Sequence, residues 1–199
     1  NPAQAPFVNH HTGTDLVVEH IERHWCPTLV SGDFLDGKEY RFPDDGRPLV
    51  VATTTLLADL VGQVGGDAIR VVSLVPKGGE VHTFDPKPSD LRTISEAALI
   101  VSNGLGLDDW LTGLASDVGS EASIVRLAED LPGATYLEGS HDDLGGGTDA
   151  GSAGEAHGPN PHLWLNVRYA IAYVDRIEAA LVAAVPGERA GIAERAAAY

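Results

Sequence analysis

From residue 48 onward the chain alternates between two hydrophobic patterns. Short, largely apolar runs rich in Val and Ile occupy 48–52, 69–75, 99–102 and 123–127. Such runs predict strands buried on both faces. Between them the apolar residues recur at helical spacing. Leu56, Leu57, Leu60, Val61 and Val64 form one stripe over 56–64, a second helix is expected over 89–98, and a third runs through Trp110, Leu111 and Leu114. Local signals mark the ends: Thr53-Thr54-Thr55 can cap the first helix, and Gly65-Gly66 can close it in a left-handed cap. Ser89 opens the second helix and Asp108 caps the third.

Strand and helix in this alternation give an α/β fold, built as a mainly parallel βαβ sheet with right-handed crossovers. In open sheets of that kind the ligand crevice lies beyond the carboxyl ends of the strands. Two loops leave such ends, one carrying His82 and the other reading Asn103-Gly104-Leu105-Gly106-Leu107. After residue 162 a long amphipathic helix is expected over 167–185, its stripe formed by Val167, Ala170, Ile171, Val174, Ile177, Leu181 and Val185. Pro186 permits a second helix over 187–199. That pattern stops without a cap or breaker, as in a truncated helix.

Two stretches fall outside the pattern. Residues 1–47 form an N-terminal extension to which the sequence gives no role. They hold an amphipathic helix over 15–25 on which His20 and His24 share a face and could chelate a metal, although two incidental histidines on a solvated face explain the spacing equally. Residues 138–160 are rich in glycine and acids and carry His141 and His157. With so few apolar residues they cannot bury enough surface to order themselves, and a solvated linker is the plain reading.

Composition narrows the function classes. Twenty-nine acids against 13 bases leave a formal charge of −16 over 199 residues. Nucleic acid would be repelled, while a cation ligand would be attracted, although acidity also serves solubility alone. The single cysteine, Cys26, excludes an internal disulfide framework and a paired-cysteine metal site. There is no run of 18 apolar residues to span a membrane and no basic-then-apolar leader. No His-Glu-x-x-His pair or nucleophile elbow occurs, which weighs against a metal-dependent hydrolase.

The candidate chemistry rests on two histidines in distant, proline-flanked loops. His82 lies in Gly78-Gly79-Glu80-Val81-His82-Thr83-Phe84-Asp85-Pro86-Lys87-Pro88-Ser89-Asp90-Leu91, and His162 in Asn160-Pro161-His162-Leu163-Trp164-Leu165. Imidazole suits zinc, copper, nickel and iron, but two such residues alone are not specific. In combination and order, these motifs resemble the metal-specific substrate-binding proteins of bacterial ABC uptake transporters, the periplasmic zinc- and manganese-binding family. The Leu49-Val50-Val51-Ala52-Thr53 strand, the Val64-Gly65-Gly66-Asp67 helix end and Asn103-Gly104-Leu105-Gly106-Leu107-Asp108-Asp109-Trp110-Leu111 extend the likeness over residues 48–199.

The resemblance implies a two-lobe protein. Residues 48–165 would be the N-terminal metal-binding lobe, with a flexible acidic and histidine-bearing loop over 138–159. Residues 166–199 would be the start of the interlobe helix, and a C-terminal lobe would be absent from this chain. It further implies that His82 and His162 are metal ligands, that the remaining ligands come from the absent lobe, and that two histidines alone bind weakly. The expected protein is a monomeric, extracytoplasmic, non-enzymatic binder that delivers its ion to a membrane permease. Zinc-specific members often carry a His- and acid-rich loop, so Zn²⁺ is expected, with His141 and His157 as auxiliary ligands and Mn²⁺ (or iron) as the alternative. Asn160 and Asn166 stand where acids are common in that family. An adhesion module using residues 1–47 is a further alternative.

Overall fold

In a computed structural model the described residues are 45–137 and 158–199, with Leu29–Val30 as an isolated strand. The expected helix over 15–25, the His20/His24 pair, His141 and His157 lie outside them.

Five parallel strands form one sheet in the order β1-β3-β2-β4-β5. They are β1 (Leu29–Val30), β2 (Leu49–Ala52), β3 (Arg70–Ser73), β4 (Leu99–Ser102) and β5 (Ser123–Arg126). The helices are α1 (Thr55–Gly65), α2 (Pro88–Ser95), α3 (Trp110–Asp117), α4 (Val167–Ala184) and α5 (Arg189–Ala198). The α/β fold and parallel sheet are therefore as expected. Leu29–Val30 adds an edge strand beside β3, pairing with Val72 and Ser73, from a stretch whose sequence carries no clear strand signal.

The continuous apolar runs have a direct physical cause. Along β2, Val50 and Ala52 face a core shared with α1, α4 and α5, while Leu49 and Val51 face a second core with Ile94 of α2 and Leu111 of α3. Alternate side chains point to opposite faces, so a strand covered on both sides must be apolar throughout. All four β2 residues are buried, and each full burial of a large aliphatic contributes about 1.5–3 kcal/mol.

Some local details are as expected and others differ. Thr54 is the residue that caps α1, its hydroxyl accepting from Leu57 N at 3.3 Å. Gly66 closes α1 at φ 54° and ψ −141°, a positive φ outside the left-handed helical region. A Cβ there would lie 2.8 Å from Arg195 Nε, which donates to Val64 O while Nη2 donates to Gly65 O. An arginine of α5 thus satisfies the carbonyls at the end of α1. Helix α2 begins at Pro88 rather than Ser89, and its cap is completed by Asp90, whose Oδ2 accepts from Lys87 N at 2.9 Å. Helix α3 begins at Trp110, and Asp108 serves a different purpose, described below.

Helix α4 buries its expected stripe at Val174, Ile177 and Leu181 but not in its first turns. Tyr173, Val174, Ile177, Leu181 and Val182 are its buried residues, whereas Val167 and Ile171 are 74% and 58% exposed. No helix among the described residues is long and apolar enough to cross a membrane.

From β2 the chain moves to β3 on one side, then crosses to β4 on the other. The direction of winding therefore reverses between β2 and β4. In folds of this kind the ligand crevice lies at the carboxyl ends of the strands where the winding reverses.

Candidate metal centre

The residues at that crevice form a buried polar network around Asp108. Thr53, which follows β2, donates its hydroxyl to Asp108 Oδ2 at 2.6 Å. Asn103, which follows β4, donates its backbone N–H to the same oxygen at 2.7 Å, and Gly104 N donates to Oδ1 at 2.8 Å. Gly104, Leu105 and Gly106 all have positive φ (81°, 56° and 82°), which turns the chain tightly enough to bring the carboxyl group back over the strand ends. Thr53, Asn103 and Asp108 are each no more than 1% exposed. Three donors on one carboxyl group compensate the cost of burying it.

Asn103 extends the network in two directions. Its Oδ1 accepts from the Tyr173 hydroxyl at 2.8 Å, and its Nδ2 donates to Pro161 O at 3.0 Å. Burial first, and the nearby Asp108 charge second, raise the Tyr173 pKa above the ordinary tyrosine value, so the hydroxyl keeps its proton and remains a donor. The long helix α4 is thereby tied to the residue immediately before His162.

The 160–162 segment is held by four backbone groups, Asn160 N, Pro161 O, His162 N and His162 O. Asn160 N donates to Leu137 O at 2.7 Å, which closes the neck of the 138–159 segment. Pro161 O is held by Asn103, and His162 O accepts from Leu165 N at 3.2 Å as a short 3₁₀ turn, Leu163–Leu165, begins. The His162 ring packs edge-on against Trp164 with centroids 5.1 Å apart, and its Nδ1 lies 2.9 Å from Asn160 Oδ1. A hollow of about 370 Å³ beside it is lined by Leu137, Asn160, Leu163, Leu165 and Tyr169 among others.

His82 is set differently. It is exposed in the loop from β3 to α2, where its backbone N–H donates to Glu80 Oε1 at 3.1 Å. Phe84, two residues on, anchors the loop by packing against Trp110 of α3 with ring centroids 5.2 Å apart. The His82 ring itself has no hydrogen-bond partner among the described residues.

Both histidines thus occupy loops anchored by a neighbouring aromatic side chain. Among the described residues no group of three or more His, Cys, Asp or Glu side chains could hold a metal ion. A closed four-ligand shell would need donors beyond this pair. Thr53, Asn103, Asp108 and Tyr173 were not singled out as site residues by the sequence. The available signal was an Asn-Gly turn directly after a buried strand, with an acid five residues on.

Residues 50–199 match the family model described as zinc-uptake complex component A, periplasmic (ZnuA). The chain is 31% identical over 140 residues to the manganese-binding lipoprotein MntA of Halalkalibacterium halodurans, covering 70% of this chain and 41% of that protein. It is 32% identical over 155 residues to the manganese ABC transporter substrate-binding lipoprotein PsaA of Streptococcus pneumoniae, covering 75% and 46%. The fold is similar to that of the Mn-bound periplasmic metal binding protein from Candidatus Liberibacter asiaticus, with a TM-score of 0.63 at 24% identity over 77% of this chain and 52% of that one. The matched part of this chain thus spans under half the length of both relatives.

Proposed function

Because this chain belongs to the family of periplasmic zinc-uptake complex component A proteins, we propose that it captures a divalent transition-metal ion outside the cytoplasm and passes it to an ABC-type membrane permease, catalysing no reaction. His82 and His162 are the ligands contributed by these residues, and further ligands come from beyond them. The observation that carries this reading is the pinning of Pro161, the residue before His162, to the buried network at the strand ends, where an α/β sheet of this topology binds its ligand. A ligand needs such fixing: a side chain free to rotate loses entropy on binding that a held one has already given up.

The ion is Zn²⁺ on this reading. Neutral imidazole is a borderline donor that suits zinc better than manganese, which favours oxygen ligands. The name of the matching family supports the same choice. Manganese is the second reading, favoured by the names of MntA and PsaA. His141 and His157 sample zinc transiently and hand it inward. The Asn160-to-Leu137 hydrogen bond supports this role, since it places both ends of their segment beside His162.

Calorimetric titration of the chain with Zn²⁺ and Mn²⁺ tests the assignment. His82→Ala and His162→Ala should each weaken zinc binding by at least about 10–100-fold, the loss typical of removing even an outer-shell partner. Unchanged zinc uptake by both variants would sink it, and tighter binding of Mn²⁺ would move the reading to manganese. Replacing His141 and His157 together by Ala should slow zinc association in stopped flow while leaving equilibrium affinity within about threefold, about 0.65 kcal/mol.

A further inference from the structure

The hydrogen bonds around Asn160 determine which nitrogen of His162 is available to a ligand. Asn160 Oδ1 lies 2.9 Å from His162 N and 2.9 Å from His162 Nδ1. A backbone N–H can only donate, so the side-chain atom facing it is the amide oxygen rather than the nitrogen. An amide oxygen can only accept. The second group facing it, Nδ1, must therefore carry hydrogen. A neutral imidazole has one N–H, which leaves the lone pair on Nε2.

We infer that Asn160 is a positioning residue: it locks His162 in the Nδ1–H tautomer and presents Nε2 as the metal-binding nitrogen. Three features make the lock stiff. Asn160 is itself held through its backbone N–H on Leu137 O, Pro161 O is held by Asn103, and the ring cannot swing freely because its edge packs on Trp164. Metal-ligating histidines commonly hold the non-ligating nitrogen on an acceptor, which sets the ring's orientation and basicity. Here the acceptor is a neutral amide. It orients the ring without adding a negative charge beside the ion, so it raises the ligand's basicity less than a carboxylate would. The His82 ring shows no corresponding acceptor among the described residues, so of the two imidazoles only His162 is set for binding before the ion arrives.

The inference rests on the reading of His162 as a ligand, but its test does not. Long-range ¹H–¹⁵N spectra of the metal-free 199-residue chain in mildly alkaline solution report the tautomer of each ring directly. Expected are a protonated Nδ1 and a bare Nε2 for His162 in the wild type and in Asn160→Asp, which keeps the acceptor, and loss of that preference in Asn160→Ala. A wild-type His162 with its hydrogen on Nε2, or an Asn160→Ala ring unchanged from wild type, overturns the inference; the wild-type spectrum decides even if the alanine variant fails to fold. Zinc affinity of Asn160→Ala should fall about 10–100-fold and recover in Asn160→Asp. If the tautomer is as inferred but His162→Ala binds zinc normally, the functional reading fails and the lock stands. If His162→Ala loses zinc but the hydrogen sits on Nε2, the lock fails and the reading stands.

Discussion

Asp108 joins the ends of β2 and β4, and its replacement measures what that junction contributes to stability. Asp108→Ala leaves the Thr53 hydroxyl and the Asn103 and Gly104 N–H groups buried without an acceptor. An unsatisfied buried donor costs about 1–3 kcal/mol, so urea denaturation should show a loss of at least about 3 kcal/mol. A loss under about 1 kcal/mol would mean that water reaches these groups. Tyr173 gives a second, pH-dependent test. Burial raises its pKa in the folded protein above the unfolded value of about 10. Above that pH the unfolded chain releases the proton while the folded chain keeps it, so the contribution to stability is whole below about pH 10 and declines as pH rises. Tyr173→Phe has no such proton. Its deficit against wild type, about 1 kcal/mol at pH 8 for the lost hydrogen bond, should shrink above pH 10 by up to about 1.4 kcal/mol per unit. Urea midpoints of both proteins at pH 8 and 11 measure it, and parallel curves would refute the burial argument.

At the scale of elements, the strands were legible because burial on both faces leaves no room for polar alternation, as in β2. Helix α4 was legible in extent but not in how much of its stripe is covered. Val167 and Ile171 continue its apolar stripe, yet they lie ahead of Tyr173, its first buried residue, and stay exposed. A 3.6-residue period reports the axis of a stripe, not where its partner surface stops. Tyr173 was overlooked for the converse reason: its polar tip counts against burial in hydropathy, but Asn103 satisfies that tip in the interior. Asp108 was misread as a cap because an acid before a helix is the usual capping signal. Only the three-dimensional turn through Gly104, Leu105 and Gly106 reveals that its carboxyl group faces the strand ends instead. The loops of His82 and His162 could be placed from the strand pattern and the resemblance, whereas the role inferred for Asn160 needed two nitrogen atoms of His162 seen within 2.9 Å of its amide oxygen. The uncovered end of the stripe has a direct measurement. Ile177→Ala, in the packed part, should cost about 2–5 kcal/mol, while Ile171→Ser should stay within about 0.5 kcal/mol of wild type. Comparable losses at both positions would mean that the stripe is covered along its whole length.

For the whole molecule, a charge of −16 offers a competing explanation of any metal effect. A strongly acidic protein attracts every dication and is stabilised by relief of self-repulsion, with no site required. A histidine site makes a different demand, because an ion that binds only the folded state stabilises it according to its own affinity. At a free concentration 100 times its dissociation constant, zinc should add about 2.7 kcal/mol, which for a domain of this size is a rise of about 5–10 °C in Tm. Magnesium at equal ionic strength screens the same charges but prefers oxygen ligands, so it should leave most of that rise unclaimed. The zinc-specific part should vanish with a chelator and in His82→Ala or His162→Ala, whose formal charges at neutral pH are those of the wild type. Thermal melts with zinc, magnesium and no added metal therefore separate the two causes: equal shifts for both ions, or a zinc shift that survives both substitutions, would assign the effect to net charge and leave the two histidines without a role.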